Sequence, residues 1–332
     1  MISSKRQINI ACLQTRPRPD FKSALDEAIT LAEEAVAAGA DILTLPEYCG
    51  GLKTEGSAFA PPFATEENHP VLKGLRDFAK NWKNYLLIGS IAIKGPAEKI
   101  LNRSFIIDDC GNIISRYDKI HLFDITLSAK ESYRESSTVH GGQTAVICQT
   151  PLGCFGQTIC YDLRFPNLYR DLSQSGAEIL FVPAAFTKKT GEAHWHVLNR
   201  ARAIENGAFV VAPCAIGRVE GGGESYGHSL IINPWGEILA DGGADSGFIN
   251  VNINLEEAYK GIQKNVKYTT YKSCSSCSGS GAKKGSKPIR CDYCSGRGKI
   301  RTNQGFFTVQ QTCPQCSGYG EMIGTPCNSC SG

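Results

Sequence analysis

From Ile8 to Gln14 apolar and polar residues alternate (Ile-Asn-Ile-Ala-Cys-Leu-Gln), the two-residue period of a strand with one buried face. The period then changes. Leu25, Ile29, Ala32 and Val36 recur at helical spacing, which predicts a helix over 24–38 that Gly39 ends. Asp41-Ile42-Leu43-Thr44-Leu45-Pro46 begins the next strand. The same alternation predicts a helix over 71–81, a strand over 85–93, and paired strands over 103–108 and 113–117 around Asp109-Cys110-Gly111-Asn112. Further strands are expected over 145–149, 155–160, 179–182, 209–212, 229–232, 238–240 and 247–251. Helices are expected over 168–175 and 196–206. Strands alternating with helices, interrupted by hairpins, make an α/β protein of mixed sheets with helices outside. Two stacked sheets between helical layers fit this order, although periodicity alone leaves the layering open.

At 332 residues the chain has room for one large α/β domain and a small module. No apolar run is as long as a membrane span, and Met1 to Gln7 lacks the apolar core of an export signal. Fifteen cysteines without such a signal read as reduced thiols, so a cytoplasmic location is expected, with no membrane partner. Charge is distributed unevenly. From Asn252 onward there are 11 Lys+Arg against 4 Asp+Glu, whereas the preceding part has 24 against 28. A basic tail suits an anionic partner, but its charge also offsets the negative thiolates of a metal site, and no nucleic acid is expected.

Three polar strings stand out from the apolar background: Leu45-Pro46-Glu47-Tyr48, Arg116-Tyr117-Asp118-Lys119-Ile120-His121, and Cys160-Tyr161-Asp162-Leu163-Arg164-Phe165-Pro166. A carboxylate, an ammonium and a thiol at strand exits are the parts of a cysteine amidase. The thiol needs a base, which Glu47 would supply. The developing oxyanion needs a fixed positive charge, which Lys119 would supply; loss of one such donor typically raises a barrier by about 3 kcal/mol. Cys12, Cys110, Cys148, Cys154 and Cys214 lack polar flanks and read as small core residues, with Cys49 more ambiguous because it lies near Glu47.

Together with Gly191-Glu192-Ala193-His194-Trp195, Arg200-Ala201-Arg202-Ala203-Ile204-Glu205-Asn206, Tyr226-Gly227-His228-Ser229 and Asn233-Pro234-Trp235-Gly236-Glu237, these strings resemble the nitrilase superfamily of carbon–nitrogen hydrolases, in its Nit branch of amidases. The resemblance spans residues 7–250. It implies a four-layer αββα sandwich that forms a homodimer. It also implies Cys160 as nucleophile, Glu47 as general base, Lys119 as oxyanion stabiliser and Glu135 as a second, positioning glutamate, with the Tyr161 N–H completing the oxyanion hole. No catalytic metal is implied. Substrates in this branch resemble short carboxylates bearing an amide, such as α-keto acid ω-amides and deaminated glutathione. Arg164 would grip the substrate carboxylate or, alternatively, order its loop through a salt bridge. Thr190 and His194 would line the same pocket, unless His194 is a hydrogen-bonded structural histidine.

After residue 273 the text changes. Cys274-x-x-Cys277, Cys291-x-x-Cys294 and Cys313-x-x-Cys316 are each followed by x-Gly-x-Gly, and Cys327-x-x-Cys330 closes the series. Eight thiolates suffice for two tetrahedral zinc sites. A redox CxxC is the competing reading, but it normally occurs once, beside a thioredoxin-like pattern. Residues 274–332 resemble the zinc-binding region of DnaJ-type co-chaperones, a hairpin-rich module, and residues 251–273 resemble its lead-in strand. That resemblance implies one structural Zn2+ on Cys274, Cys277, Cys327 and Cys330, a second on Cys291, Cys294, Cys313 and Cys316, and an unfolded polypeptide as partner. The sequence departs from both families. It has no His-Pro-Asp tripeptide, its fourth repeat stops before a second glycine, and the segment that follows the last nitrilase strand is replaced. The expected organisation is a hydrolase domain over 1–250, a junction, and a truncated zinc region. The alternative is a polypeptide-binding zinc module on an inactive scaffold.

Overall fold

The computed structural model describes residues 6–56, 58–128, 131–258, 274–277, 280–304 and 307–330. The chain divides into two compact units, Met1–Lys264 and Asn265–Gly332.

The first unit holds two six-stranded sheets. One contains β1 (Gln7–Gln14), β2 (Ile42–Thr44), β3 (Tyr85–Lys94), β4 (Ile100–Ile107), β5 (Ile113–Asp118) and a late strand, β12 (Gly247–Asn254). Their spatial order is β12-β1-β2-β3-β4-β5. The other runs in chain order: β6 (Val146–Thr150), β7 (Gly153–Gln157), β8 (Ile179–Phe181), β9 (Phe209–Ala212), β10 (Leu230–Ile232) and β11 (Ile238–Asp241). Parallel pairs lie at the centre of each sheet, and antiparallel pairs lie toward the edges.

Alternating side chains decide the layering. Ile8, Ile10 and Cys12 of β1 meet Ile179 and Phe181 of β8 in the apolar layer between the sheets. Their neighbours Ala11 and Leu13 turn outward, onto α1 (Phe21–Ala37) and α2 (Pro70–Trp82). On the far side Leu180, Val210 and Ile232 pack under α3 (Pro166–Gln174) and α4 (Lys188–Asn206). The result is an αββα sandwich. Its helices start where local chemistry allows: Asp20 caps α1 by accepting from Ser23 N, and Pro70 opens α2 behind the His69 cap.

Four expectations need correction. The strand expected to reach Cys160 ends at Gln157, and Cys160 opens a 3-10 turn over Cys160–Arg164. Helix α4 begins at Lys188, eight residues earlier than expected, because Gly191 lets it press against Tyr226; a Cβ there would lie 2.3 Å from that ring. Cys110 is exposed in its turn rather than buried in the core. Strand β12 continues three residues past its expected end, pairing Asn252, Ile253 and Asn254 with Asn9, Ile8 and Gln7. Leu255–Glu257 then form a 3-10 turn, and residues 259–273, including most of the lead-in segment, lie outside the described residues.

The second unit is a set of short hairpins. β13 (Lys299–Gln304) pairs with β14 (Phe307–Thr312), and Ile289–Arg290 pairs with Glu321–Met322. Its buried residues include Cys291, Cys294, Cys313 and Cys316, an interior built mostly of thiols.

Candidate active site and metal centres

Glu47 leaves β2 on a turn that is held from below. Ser90 Oγ accepts from Tyr48 N at 2.9 Å, and Ser90 O accepts from Cys49 N at 3.0 Å. Gly89 makes this approach possible: a Cβ there would lie 1.9 Å from Leu45 O and 2.5 Å from Pro46 O. The β3–β4 register shifts between Ile88 and Ile91, so the strand bulges at the point where it carries the Glu47 turn.

Lys119 follows β5 and is 2% exposed, so its ammonium requires buried partners. Nζ donates to Glu47 Oε1 at 2.8 Å and to Glu135 Oε1 and Oε2 at 3.1 and 2.9 Å. Burial disfavours the ammonium, but the carboxylates of Glu135 and Glu47 outweigh it and hold the lysine well above its usual 10.5. Glu135 also accepts from Phe123 N at 2.6 Å and Tyr48 OH at 3.2 Å. Glu47 Oε2 accepts from Ala185 N at 2.9 Å, which ties the first sheet's carboxylate to the loop after β8 of the second.

Cys160 sits beside this cluster. Its φ is +47°, a left-handed conformation that a β-substituted residue rarely adopts. Its N–H donates to Pro183 O at 2.9 Å. Asp162 anchors the turn behind the thiol, accepting from Ile159 N at 2.9 Å, Tyr117 OH at 2.6 Å and His121 N at 3.0 Å. Burial and the Glu47 negative charge push the Cys160 thiol well above 9.0, despite Lys119. Glu47 lies below the usual glutamate value: burial would raise it, but Lys119 overrides that, and the Ala185 N–H and the Cys160 thiol add further support. The resting arrangement is therefore a neutral thiol facing an ionised carboxylate. Cys49, by contrast, donates to Ser90 O, and burial pushes its thiol up to about 12.

The structure thus brings Glu47, Lys119, Glu135 and Cys160 together. It adds Asn102, whose Nδ2 donates to Glu47 Oε1 at 2.9 Å and Glu135 Oε1 at 3.1 Å. Asn102 precedes the strand expected over 103–108 and carries no sequence signal of its own; the structure places it, buried, inside β4. Tyr161 follows the thiol, edge-on to Phe123 at 5.2 Å. Arg164 lies 5.8 Å from the Tyr161 ring and 5.6 Å from Phe186, with Nη2 3.3 Å from His194 Nδ1. Among the described residues no carboxylate pairs with Arg164, so the salt-bridge alternative has no acid partner there. Thr190 is buried and bonded to Thr187 Oγ1 at 2.7 Å, while His194 is exposed on α4.

In the second unit Cys274, Cys277, Cys327 and Cys330 converge, as do Cys291, Cys294, Cys313 and Cys316, with all sulfurs of each group within 4.8 Å of one another. The Cys291–Cys313, Cys294–Cys316 and Cys277–Cys330 sulfurs are 3.8, 3.6 and 3.8 Å apart. A tetrahedral zinc with Zn–S bonds of about 2.3 Å separates its sulfurs by about 3.8 Å, so these donors fit that ion. Gly298 N and Gly320 N each donate to a sulfur, Cys294 and Cys316, at 3.2 Å. That is the use of the second glycine in the second and third repeats: at φ +68° and +78° these positions turn an amide back onto the sulfur.

Comparison with known proteins agrees with both units. Residues 274–332 match the DnaJ central domain. Residues 9–263 match the carbon–nitrogen hydrolase family. Deaminated glutathione amidase from Synechocystis sp. is 41% identical over 250 residues, covering 74% of this chain and 90% of the relative. Omega-amidase NIT2 from Homo sapiens is 34% identical over 230 residues, covering 69% and 82%. Among solved structures, Saccharomyces cerevisiae Nit3, a member of branch 10 of the nitrilase superfamily, superposes with a TM-score of 0.68 at 28% identity, over 80% of this chain and 97% of that one. The Caenorhabditis elegans NitFhit protein gives 0.72 at 26%, over 92% and 72%. By sequence and by fold, the chain belongs to the carbon–nitrogen hydrolase family.

Proposed function

We propose that the first unit hydrolyses the C–N bond of a small, carboxylate-bearing linear amide through a thioester on Cys160. The observation that carries this reading is the buried Glu47–Lys119–Glu135 cluster beside a thiol held in a left-handed turn. Glu47 takes the thiol proton as sulfur attacks the amide carbonyl. The oxyanion receives the Tyr161 N–H and one proton of Lys119, which exchanges its longer bond to Glu135 Oε1 for the oxyanion while keeping Glu47 Oε1 and Glu135 Oε2. Glu47 returns its proton to the leaving nitrogen, and ammonia or an amine departs. Water then gives a proton to Glu47 as it attacks the thioester, and the acid leaves while Cys160 regains its proton. Glu135 and Asn102 orient Lys119 and Glu47 and do not exchange protons with substrate.

Arg164 supports a substrate carboxylate as the recognition element, and the named activities of the relatives support an ω-amide or a deaminated-glutathione-like amide. Thr190 and His194 flank that end of the pocket. The test is a panel of such amides, read by released ammonia or amine, with Cys160→Ala and Arg164→Ala alongside. Turnover lost in the first variant and a KM raised at least about tenfold in the second support the reading. Turnover that survives Cys160→Ala sinks it.

Two structural Zn2+ ions in the tail and a homodimer complete the proposal. α4 carries Val197 and Ile204, 60% and 53% exposed, as an apolar face for a second copy, which sedimentation would detect. A second activity, polypeptide binding by the tail, is favoured by the match to the DnaJ central domain and by Tyr293 and Tyr319, 59% and 86% exposed. Failure of the zinc-loaded chain to suppress aggregation of an unfolded client would remove it.

A further inference from the structure

Outside the Cys160 cluster, the first unit gathers two imidazoles on one carboxylate. His196 projects from α4, His228 lies in the turn before β10, and Asp241 ends β11. His196 Nε2 is 2.9 Å from Asp241 Oδ2, and His228 Nδ1 is 2.9 and 3.2 Å from Asp241 Oδ1 and Oδ2. One ligand atom from each of the three lies within 4.8 Å of the other two. Around a tetrahedral zinc with bonds of about 2.0–2.1 Å, neighbouring ligand atoms are about 3.3 Å apart, so these nitrogens and oxygens need move only slightly to enclose an ion. The two rings stand edge to face at 5.2 Å and 69°, converging on the carboxylate rather than stacking.

The positions are built in. His228 has φ +52°, a conformation rare outside glycine and asparagine, and it aims the ring at Asp241. Four contacts hold that turn. His228 N donates to Gly243 O at 2.8 Å, and Trp195 Nε1 donates to His228 O at 2.7 Å. Ser229 N donates to Gln14 Oε1 at 2.7 Å, and the Tyr226 ring stacks on the imidazole at 4.5 Å. Asp241 is oriented by Gly243 N at 2.9 Å, the outer-shell support that ligating carboxylates normally have. The three side chains are 32%, 26% and 33% exposed, which leaves one side open to a water or a fourth ligand. The acidic turn at Asp108 is different: its oxygens are already taken by Cys110 N, Asn112 N and Asn112 Nδ2.

We propose that His196, His228 and Asp241 form a third metal site, separate from the cysteine clusters, that takes one borderline divalent cation of the zinc class and clamps α4 to the β10–β11 hairpin. Two imidazoles and one carboxylate favour such an ion over magnesium or calcium. The clamp joins α4 to a hairpin that follows it in sequence, so occupancy stabilises the folded unit.

The test is equilibrium dialysis of the full chain against buffered free Zn2+, followed by metal analysis, for the wild type, His196→Ala, His228→Asn and a His140→Ala control. Asparagine tolerates the left-handed turn, so His228→Asn keeps the fold while removing the ligand. The expected result is one zinc per chain fewer in both site variants than in the wild type and the control. The wild-type melting temperature should also rise with free Zn2+ by several degrees more than that of either variant. Equal zinc content across all four proteins overturns the proposal, as does a loss in His196→Ala that His228→Asn does not share.

Discussion

Lys119 is a fully enclosed cation between two carboxylates, and that imbalance of charge explains the state of the thiol beside it. With Glu47 and Glu135 ionised the cluster is already net negative, so ionising Cys160 in place adds a third negative charge. The thiol therefore keeps its proton until substrate arrives, and Glu47 is the group ready to take it. The pH dependence follows. Glu47 is depressed, so the base is ionised everywhere above a value lower than the usual 4.5; Cys160 is raised, so the neutral thiol persists above 9.0. kcat/KM should be flat between those limits, falling on the acid side only as Glu47 protonates. A bell centred near pH 7 with both limbs inside that window contradicts the assignment.

Asn102 makes the same point for stability. Asn102→Leu removes the amide that both carboxylates share, leaving buried acceptors under-satisfied, at a cost of about 1–3 kcal/mol. Denaturant unfolding checks it, and an unchanged midpoint would show that Lys119 alone satisfies the pair. Glu47, Lys119 and Cys160 were legible because each sits in a polar string at a strand exit. Asn102 was not, because its role depends on which strand lies beside β3, and that is a fact of tertiary pairing.

The elements that deliver these side chains were legible in kind but not in detail. The helices of the first layer fall within a few residues of their periodic text, since α1 and α2 each bury one stripe. The start of α4 was hidden because Gly191 reads as a breaker, yet here it serves close packing on Tyr226. The Cys160 turn was hidden because nothing in Ile159-Cys160-Tyr161 announces a positive φ. Gly89 is the sharpest case. Gly89→Ala places a methyl group against Leu45 O and Pro46 O, so the turn must shift and carry Glu47 with it. A displacement near 1 Å typically lowers rates about a hundredfold. The expected outcome is kcat reduced by about that factor with KM nearly unchanged, and wild-type kcat in a folded Gly89→Ala protein would contradict it.

At the scale of the molecule, alternation in each strand was visible, but not which face met which layer. Ile179 and Phe181 turn to the other sheet while Leu180 turns to the helices, and only the stacking makes that choice. The change of text after residue 273 was plain in the cysteines, and the same eight thiols form two four-sulfur groups in the second unit. Every residue assigned to catalysis lies in the first unit. Loss of the zinc proposed for the tail, by Cys291→Ser with Cys313→Ser, should melt the second unit's hairpins and leave amide turnover within about twofold. Turnover that falls in parallel with zinc loss would assign the tail a part in the hydrolase.

The most direct test of the central claim is the mass of the chain quenched during turnover of an ω-amide, followed by peptide mapping. The account predicts an acyl adduct on the peptide containing Cys160, absent from Cys160→Ala, with turnover in that variant reduced by about 10⁴-fold or more. Full-rate hydrolysis with no adduct on Cys160, or with the cysteine removed, would contradict it.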